Sequence, residues 1–355
     1  MLNLEQKAII ESKEPRILIN AGAGTGKTTT LIAAAEQHKD ERIALITFTN
    51  EAAAEIMNRL SFKPAFVGTL HKFSYQLLLL MAEKYNLTFS LLREYQIKEV
   101  LDYILQEKNY PISLTKEVLE FITDKRKYTV ETVEIPSYYR FLAEEYEKLK
   151  EKTRMYDITD SPVYLYKKLL EYPLDIPYDY LFVDEAQDLS TEEFNLINFL
   201  SIKNKFIIGD PKQSIYIFRG ADSSVFENFQ NNNYKEYKLT YNYRSYQEIL
   251  DYAGAGLKAI RGMGGIKFSN LKECLALKPH ILCRSNIELN KIKKYYSDIS
   301  TIHAAKGLEY DNVLLCNFKH NTLEEQNVYY VALTRAKNGI GIFPFEKIKK
   351  QIKFC

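Results

Sequence analysis

The sequence predicts an α/β protein with two lobes, each built on a parallel sheet, and a mainly helical insertion in the first lobe. Short apolar runs typical of buried strands alternate with stretches of helical spacing, a pattern that favours parallel sheets layered with helices. A second series of this kind begins at Leu239. Between Leu77 and Leu174 strand signals are few, and Leu, Tyr, Lys and Glu recur at helical spacing. We therefore expect a first lobe over residues 1–76 and 175–238, the insertion over 77–174, and a second lobe over 239–355.

The expected elements of the first lobe follow one another as strand, loop and helix. Ile17–Ile19 predicts a buried strand, and the helical pattern Thr28–Ala35 follows it after a loop of small residues. Ile43–Phe48 predicts the next strand, and Asn50–Leu60 predicts a helix behind it. Two later apolar runs predict strands that end in acidic residues, namely Tyr180–Val183 and Lys205–Gly209.

The second lobe repeats this arrangement. Three apolar runs predict its buried strands, namely His280–Cys283, Asn312–Cys316 and Ile340–Phe343. Gly254–Gly265 predicts a loop or a small extension, because glycine recurs through it. The sequence contains no internal repeat and no low-complexity tract.

The composition is that of a soluble globular protein. Hydrophobic residues make up 46% and charged residues 26% of the 355 positions, and the net charge of +2 leaves any basic surface local. The chain has no Trp but 27 Tyr and 19 Phe, so a base-stacking platform would use Tyr or Phe. Four cysteines without CxxC spacing favour a reducing cytoplasm over a zinc site or an iron–sulfur cluster. Without a signal pattern or a membrane-length apolar run, we expect a cytoplasmic protein with no membrane partner.

A phosphate-binding loop is expected between the first strand and the first long helix. Small residues let backbone N–H groups close around phosphate oxygens, and the helix start adds the positive end of its dipole. Lys27 would reach the β- and γ-phosphates, and the Thr28 hydroxyl would ligate Mg²⁺. The strict pattern has Gly where this chain has Ala21, and the alternative interpretation is a flexible turn before an ordinary helix. The residues expected to surround the nucleotide are Ala21, Gly22, Ala23, Gly24, Thr25, Gly26, Lys27, Thr28 and Thr29.

An acidic motif later in the chain supplies the carboxylates for catalysis that the phosphate loop lacks. Asp184 and Glu185 follow the apolar run Tyr180–Val183, so both carboxylates lie at the end of a buried strand. Asp184 is suited to hold Mg²⁺ beside Thr28, and Glu185 to polarise the water that attacks the γ-phosphate. A solvated strand end is the alternative, but together with the loop the pair predicts ATP hydrolysis.

Seven blocks follow one another along the chain, namely Leu2–Gln6, Ile46–Ile56, Val67–Phe73, Gly209–Ala221, Leu239–Ser245, Thr301–Tyr310 and Tyr330–Ala336. Together they resemble the UvrD/PcrA/Rep group of superfamily 1 DNA helicases. One block is weak evidence, but the whole set appears in the order of the family. The resemblance implies two RecA-like P-loop NTPase lobes, ATP and Mg²⁺ as cofactors, and single-stranded DNA as partner.

The resemblance also assigns nucleotide roles to residues outside the loop. Gln6 is expected to read the adenine edge, with Tyr243 packed on the base. Gln213 would sense the γ-phosphate, and Glu309 would contact the nucleotide or its water. Arg244 and Arg335 resemble the two arginines that the family projects from the second lobe onto the γ-phosphate, although an exposed arginine is otherwise a solvated cation.

DNA contacts are expected along the same blocks. Aromatic faces stack on bases at roughly 1–3 kcal/mol each, and the resemblance places Phe218 against a base; core packing is the alternative for each aromatic. Two short basic clusters, Lys125–Lys127 and Lys347–Lys350, either follow a DNA backbone or are solvated surface. The residues expected to contact DNA are Phe48, Asn50, Thr69, His71, Tyr216, Phe218, Thr301 and His303.

The chain departs from the family pattern in one segment. Only Ser285–Ser300 separates two second-lobe blocks, where full-size relatives place a large mobile domain. Two functions remain open on this basis. The first is an ATP-dependent translocase on single-stranded DNA, 3′-to-5′ by resemblance, that also acts on tailed duplexes. The second is a DNA-stimulated ATPase sensor that serves a nuclease or a repair or anti-phage defence protein, as in Gabija. The second-lobe blocks disfavour a small-substrate kinase.

Overall fold

The computed structural model describes residues 2–123, 137–153, 155–217 and 220–352. Lys125–Lys127 and Phe218 therefore lie outside the described residues. The strands are β1 (Arg16–Ala21), β2 (Ile43–Thr47), β3 (Phe66–Thr69), β4 (Ser90–Leu91), β5 (Met155–Tyr156), β6 (Tyr180–Val183), β7 (Asn204–Gly209), β8 (Lys235–Leu239), β9 (Tyr241–Asn242), β10 (Lys258–Ala259), β11 (Ile266–Phe268), β12 (His280–Cys283), β13 (Ile299–Thr301), β14 (Tyr310–Asn317) and β15 (Ala336–Pro344).

Helices alternate with these strands, as expected for layered α/β lobes. They are α1 (Leu4–Ile10), α2 (Lys27–Gln37), α3 (Asn50–Arg59), α4 (Leu70–Tyr85), α5 (Glu94–Glu107), α6 (Thr115–Thr123), α7 (Ser137–Thr153), α8 (Ser161–Glu171), α9 (Thr191–Phe199), α10 (Val225–Asn231), α11 (Gln247–Tyr252), α12 (Leu271–Ala276), α13 (Asn286–Lys293), α14 (Leu323–Leu333) and α15 (Phe345–Ile352). Among the described residues, every helix is too short or too polar to cross a membrane.

The first sheet has six parallel strands in the order β3-β2-β6-β7-β1-β8. Its central strands are buried on both faces, because helices cover each side and form two apolar clusters. β6, β7 and β1 are neighbours, so their carboxyl ends meet at one edge. That edge carries Asp184, Asp210 and the loop after Ala21, which is where α/β sheets place their ligand sites.

The helices between β3 and β6 form two layers. α4 and α8 pack against each other and contribute to the first-lobe core through Leu77, Met81 and Leu165. The part between them has a separate core, centred on Leu101, Leu142 and other buried residues of α5, α6 and α7. The range 77–174 was expected to form one insertion; we propose that the insertion proper is this inner part.

The second sheet has five parallel strands in the order β11-β15-β14-β12-β13. One face packs with α12, α13 and α15. The other face forms a cluster with α11 and α14 that also contains Ile215, Tyr216 and Ala221 of the first lobe. The two lobes are therefore joined by a shared apolar layer. The α/β class with two parallel sheets, as the sequence predicted, is confirmed.

Candidate active site between the two lobes

A cleft of about 1010 Å³ lies between the two sheets, and both lobes contribute its walls. Lys27 and Glu185 stand on the first-lobe wall, and Arg244 and Arg335 on the second-lobe wall. The residues of the predicted nucleotide site that line the cleft are Gln6, Gly24, Gly26, Lys27, Thr28, Thr29, Asp184, Glu185, Gln213, Tyr243, Arg244, Glu309 and Arg335. The sequence thus brings together side chains more than 300 residues apart.

The loop after β1 has the geometry of a phosphate cradle. Gly24 and Gly26 have φ values of +67° and +84°, a backbone region that glycine adopts readily. The Thr25 hydroxyl donates to the Gly22 carbonyl at 2.8 Å and closes the loop on itself. Lys27 opens α2 and its Nζ lies 3.5 Å from the Ala21 carbonyl, folded back over the loop.

Four predicted loop residues do not line the cleft, because their side chains or Cα atoms face protein. Ala21 is buried in the first-lobe core, and Ala23 packs in a small cluster with Leu250, Leu257 and Tyr330 of the second lobe. A Cβ at Gly22 would meet Leu257 of the second lobe at 2.8 Å. Thr25 is 1% exposed. These positions shape the loop and its contact with the second lobe.

The acidic pair occupies the end of β6 beside the loop. Asp184 Oδ2 lies 3.3 Å from the Thr28 hydroxyl, and Asp184 Oδ1 accepts from the Glu185 N–H at 2.9 Å. Burial and the adjacent Glu185 charge raise the pKa of Asp184 to about 7. Burial also acts to raise the pKa of Glu185, but the charges of Lys27 and Lys306 outweigh it and lower that pKa. Glu185 is therefore held as a carboxylate next to the cation of the loop.

Glu185 sits in a constrained position. Its φ of +53° is uncommon for a non-glycine residue and costs backbone energy, which points to a functional constraint. Gln187 donates its side-chain N–H to the Glu185 carboxylate and accepts the Asp210 N–H at 2.9 Å. A Cβ at Gly209 would meet Gln187 Oε1 at 2.3 Å, so glycine there allows the close approach. Gln187 belongs to the Asp184–Asp188 motif, but sequence reasoning assigned it no role.

Arg335 reaches the cleft from the end of α14. It is 1% exposed, and its Nε and Nη1 donate to the carbonyls of Val331 and Leu308 at 2.9 and 3.1 Å. Its Nη2 lies 3.2 Å from Gln213 Oε1, across the lobe boundary. Burial lowers the pKa of the Arg335 guanidinium. An arginine that is fixed on three sides and buried is poised for an anionic ligand.

The second arginine is held by a carboxylate. Arg244 Nε donates to Glu309 Oε2 at 2.8 Å, and its Nη1 donates to the Thr334 carbonyl at 3.1 Å. Lys337 pairs with the other Glu309 oxygen at 2.7 Å. Glu309, predicted to contact the nucleotide or its water, therefore orients two cations at the rim of the cleft.

The end of the cleft that is expected to hold the adenine base is formed around α1. Gln6 is 3% exposed; its Oε1 accepts the Asn3 N–H at 3.0 Å and its Nε2 donates to the Thr30 hydroxyl at 3.2 Å. Asn3 Nδ2 also donates to the Tyr243 hydroxyl at 2.9 Å, which links this end of the cleft to the second lobe. Hydrogen bonds with Asn3 of the helix cap and with Thr30 thus orient the Gln6 amide.

The structure describes seven of the residues expected to contact DNA, and all seven lie outside the cleft. Phe48 and Tyr216 stack on each other with ring centroids 5.2 Å apart, and His303 Nε2 lies 3.2 Å from the Ile215 carbonyl. Thr69 and Thr301 accept main-chain N–H groups at 3.4 and 3.3 Å. The remaining two are Asn50, whose Oδ1 accepts from Lys72 at 2.7 Å, and His71, whose carbonyl accepts from Ser161 at 2.9 Å. The structure brings Phe48, Tyr216 and His303 together.

Two further arginines line the cleft without having been predicted, and a third, Arg284, lies outside it. Arg261 lines the cleft and donates to the carbonyls of Arg244 and Lys337 at 3.0 and 3.2 Å. Arg59 lines it from α3 and donates to the Thr29 hydroxyl at 2.9 Å. Arg284 follows β12 with buried Nε and Nη1 atoms that have no hydrogen-bond partner within the described part of the chain.

Comparison with known families identifies this architecture. A family model described as the UvrD/REP helicase N-terminal domain matches residues 2–234. The chain belongs to this family. A second model, described as the viral superfamily 1 RNA helicase core domain, matches residues 142–344. The resemblance that the motifs predicted is thereby confirmed.

Individual relatives of the family agree over much of the chain. A probable DNA helicase II homolog of Mycoplasma capricolum is 30% identical over 296 residues, which cover 73% of this chain and 41% of that protein. ATP-dependent DNA helicase Rep of Buchnera aphidicola is 30% identical over 365 residues, covering 91% of this chain and 56% of Rep. Gabija protein GajB of Bacillus cereus is 30% identical over 252 residues, which cover 67% of this chain and 45% of GajB. The chain thus spans about half the length of these relatives.

Proposed function

We propose that this UvrD/REP family member is an ATP-dependent translocase on single-stranded DNA that hydrolyses ATP between its two lobes. The observation that carries the proposal is the shared cleft, in which Lys27 and Glu185 of one lobe face Arg244 and Arg335 of the other. Hydrolysis that needs both walls couples the chemistry to closure of the lobes. The names of the Rep and DNA helicase II relatives support DNA as the track.

The residues of the cleft divide the reaction between them. Main-chain N–H groups of the loop and Lys27 would bind the phosphates. Glu185 would accept a proton from water as the water oxygen bonds to the γ-phosphorus and the bond to the bridging oxygen breaks, which leaves ADP and phosphate. Arg244 and Arg335 would offset the charge on the transferred group.

Magnesium fits the same cleft. The Thr28 hydroxyl and the Asp184 carboxylate lie 3.3 Å apart, and both are hard oxygen ligands of the kind that Mg²⁺ prefers. Thr28 and Asp184 would hold the ion, which would neutralise charge on the phosphate oxygens. The raised pKa of Asp184 fits a carboxylate that a nearby cation would stabilise.

A side-chain network connects the cleft to the residues expected to contact DNA. Lys306 donates to Asp188 Oδ2 at 2.5 Å and to the Gln213 carbonyl at 3.0 Å, and its Nζ lies 4.6 Å from the Tyr216 ring centroid. Gln213 lines the cleft, whereas Tyr216 stacks on Phe48. Movement of Gln213 after loss of the γ-phosphate would therefore be transmitted through Tyr216 to the bound DNA strand. The resemblance to the family leads us to expect translocation in the 3′-to-5′ direction.

A second function is favoured by the relative GajB and by the short second lobe. α13 alone spans the segment between β12 and β13, where full-size relatives would place a large domain. A chain with this compact lobe would turn over ATP on DNA and signal to an associated nuclease or defence protein, with little strand separation. Both functions use the same cleft.

Steady-state ATPase and strand displacement separate these functions. ATP hydrolysis is measured with and without a single-stranded oligonucleotide, alongside release of a labelled strand from duplexes with 3′ or 5′ tails. Stimulated hydrolysis with displacement from 3′-tailed duplexes supports the motor; stimulation without displacement for either tail supports the sensor. Lys27→Ala and Glu185→Gln are expected to abolish turnover in both cases. Full turnover in either variant would refute the site.

A further inference from the structure

The hydroxyl of Tyr330 lies where the phosphate loop, the end of β7 and the second lobe meet. Tyr330 belongs to α14 and is 6% exposed. Its hydroxyl oxygen accepts the Ala23 N–H at 3.4 Å and donates to Asp210 Oδ2 at 3.3 Å. Both partners are first-lobe residues, so this single hydroxyl joins the lobes at the start of the loop.

The hydrogen bonds continue from Asp210 to the buried arginine. Asp210 Oδ2 also accepts from Gln213 Nε2 at 2.8 Å, and Gln213 Oε1 accepts from Arg335 Nη2 at 3.2 Å. An unbroken chain thus runs from the loop through Tyr330, Asp210 and Gln213 to Arg335. Every link is at least 97% buried apart from Tyr330, so water competes little with the chain.

The surroundings keep the phenol in its neutral, donating form. Burial raises the pKa of Tyr330, and the neighbouring Asp210 charge raises it further. Asn242, on the same lobe, donates its Nδ2 to the Ala23 carbonyl at 2.5 Å. The second lobe therefore holds the Ala23 residue at both its N–H and its C=O.

We infer that Tyr330 is a positioning residue for ATP hydrolysis, whose hydroxyl sets the phosphate loop and the Arg335 guanidinium relative to each other when the lobes close. This inference rests on the proposed ATPase. At the phosphate loop, the groups proposed to bind ATP in the ground state, Lys27 and the main-chain N–H groups, belong to the first lobe. Loss of a contact that exists only between the lobes should therefore lower kcat and leave KM for ATP nearly unchanged.

The test compares Tyr330→Phe with Tyr296→Phe in the full chain. Tyr296 is the matched control, because its hydroxyl donates to the Pro279 carbonyl at 2.6 Å on the far face of the second sheet. With a saturating single-stranded oligonucleotide, kcat of Tyr330→Phe should fall about tenfold, the effect expected for a lost hydrogen bond to a carboxylate. KM and Tm should stay near wild type, and Tyr296→Phe should keep the wild-type kcat.

A double-mutant cycle with Gln213→Ala tests the chain itself. Because either change breaks the same chain of hydrogen bonds, kcat of the double variant should be close to that of the less active single variant. A double variant whose fold loss in kcat equals the product of the two single losses would overturn the inference. An unchanged kcat in Tyr330→Phe, with an active wild type, would also overturn it. A parallel drop in Tm with changes in both kcat and KM would also overturn it, because Tyr330 would then act only in folding. Wild type without ATPase would overturn the proposed function and this inference together.

Discussion

Gly22→Ala adds a methyl group between the phosphate loop and the second lobe. An ideal Cβ there would lie 2.8 Å from Leu257 Cδ1 and 2.9 Å from its Cδ2, whereas ordinary contacts lie at 3.4–4 Å. Gly22 does not require a positive φ, so the obstacle is steric and belongs to the lobe contact. Either Leu257 or the whole second lobe must retreat by several tenths of an ångström.

The cost of this retreat is that of overpacking, roughly 1–3 kcal/mol, which corresponds to a five- to 150-fold loss in the closed population. Leu257 is 9% exposed and is packed against Ala23 and Tyr330, so it has little room to turn aside. ATP contacts of the first lobe alone remain intact. We therefore expect kcat of the DNA-stimulated ATPase to fall about tenfold with KM changed less than about threefold.

Leu257→Ala supplies the decisive comparison. It removes the three atoms that the new methyl group would meet, so Gly22→Ala combined with Leu257→Ala should recover most of the kcat of Leu257→Ala alone. The assay is steady-state ATP hydrolysis on all four chains of the cycle. An equal kcat loss from Gly22→Ala in both backgrounds would mean that the methyl group harms the loop itself, and the lobe-contact reasoning would be refuted.

The remaining predictions concern single side chains. Arg335→Lys should lower kcat about 10³-fold, because a lysine cannot reach the Val331 and Leu308 carbonyls and Gln213 together; steady-state ATPase measures this, and less than a tenfold loss would contradict it. Burial lowers the pKa of Lys205 to about 7, so the folded state binds fewer protons than the unfolded state from about pH 7 to about pH 10.4, and stability should rise with pH there. The free energy of unfolding in urea is measured for wild type and Lys205→Met at pH 7.5 and 9.5. Between these pH values it should rise by about 2 kcal/mol more in wild type than in Lys205→Met, and an equal change in both proteins would exclude the pKa shift. Tyr234→Phe should leave the free energy of unfolding unchanged or raise it by about 1 kcal/mol, because the buried Tyr234 hydroxyl has no partner within the described residues; clear destabilisation would show that the hydroxyl is paired.

Buried strands were predictable from the sequence, but edge strands were not. Tyr180–Val183 and His280–Cys283 were predicted with their observed bounds, because strands covered on both faces are continuous apolar runs. β2 ends one residue before the predicted Phe48, whose ring instead stacks on Tyr216. β8 was missed, because Lys235–Leu239 is largely polar and becomes a strand through its pairing with β1.

The candidate site was predictable where residues act within one local motif. Lys27, Asp184 and Glu185 follow from strand, loop and helix order alone, and the structure gathers them in one cleft. Arg261 and Tyr330 were not assigned, since their roles depend on partners in distant parts of the chain; Tyr330 lies 307 positions after Ala23. A pattern of spacing along the chain carries no information about such contacts.

The departure at Ala21 shows why the loop tolerates a side chain there and not at the next two glycines. Ala21 ends β1, pairs with Leu239 and points into the first-lobe core, where a methyl group adds apolar contact. Gly24 faces the other way: a Cβ there would lie 2.6 Å from Asn242 Nδ2 and 2.7 Å from Arg244 Cβ, in addition to its φ of +67°. A Cβ at Gly22 would also meet the second lobe, at Leu257. Small residues in this loop therefore satisfy two separate demands, approach of the phosphates from the cleft and approach of the second lobe. Contact with the second lobe excludes a side chain at Gly22 and Gly24, and the positive φ values favour glycine at Gly24 and Gly26.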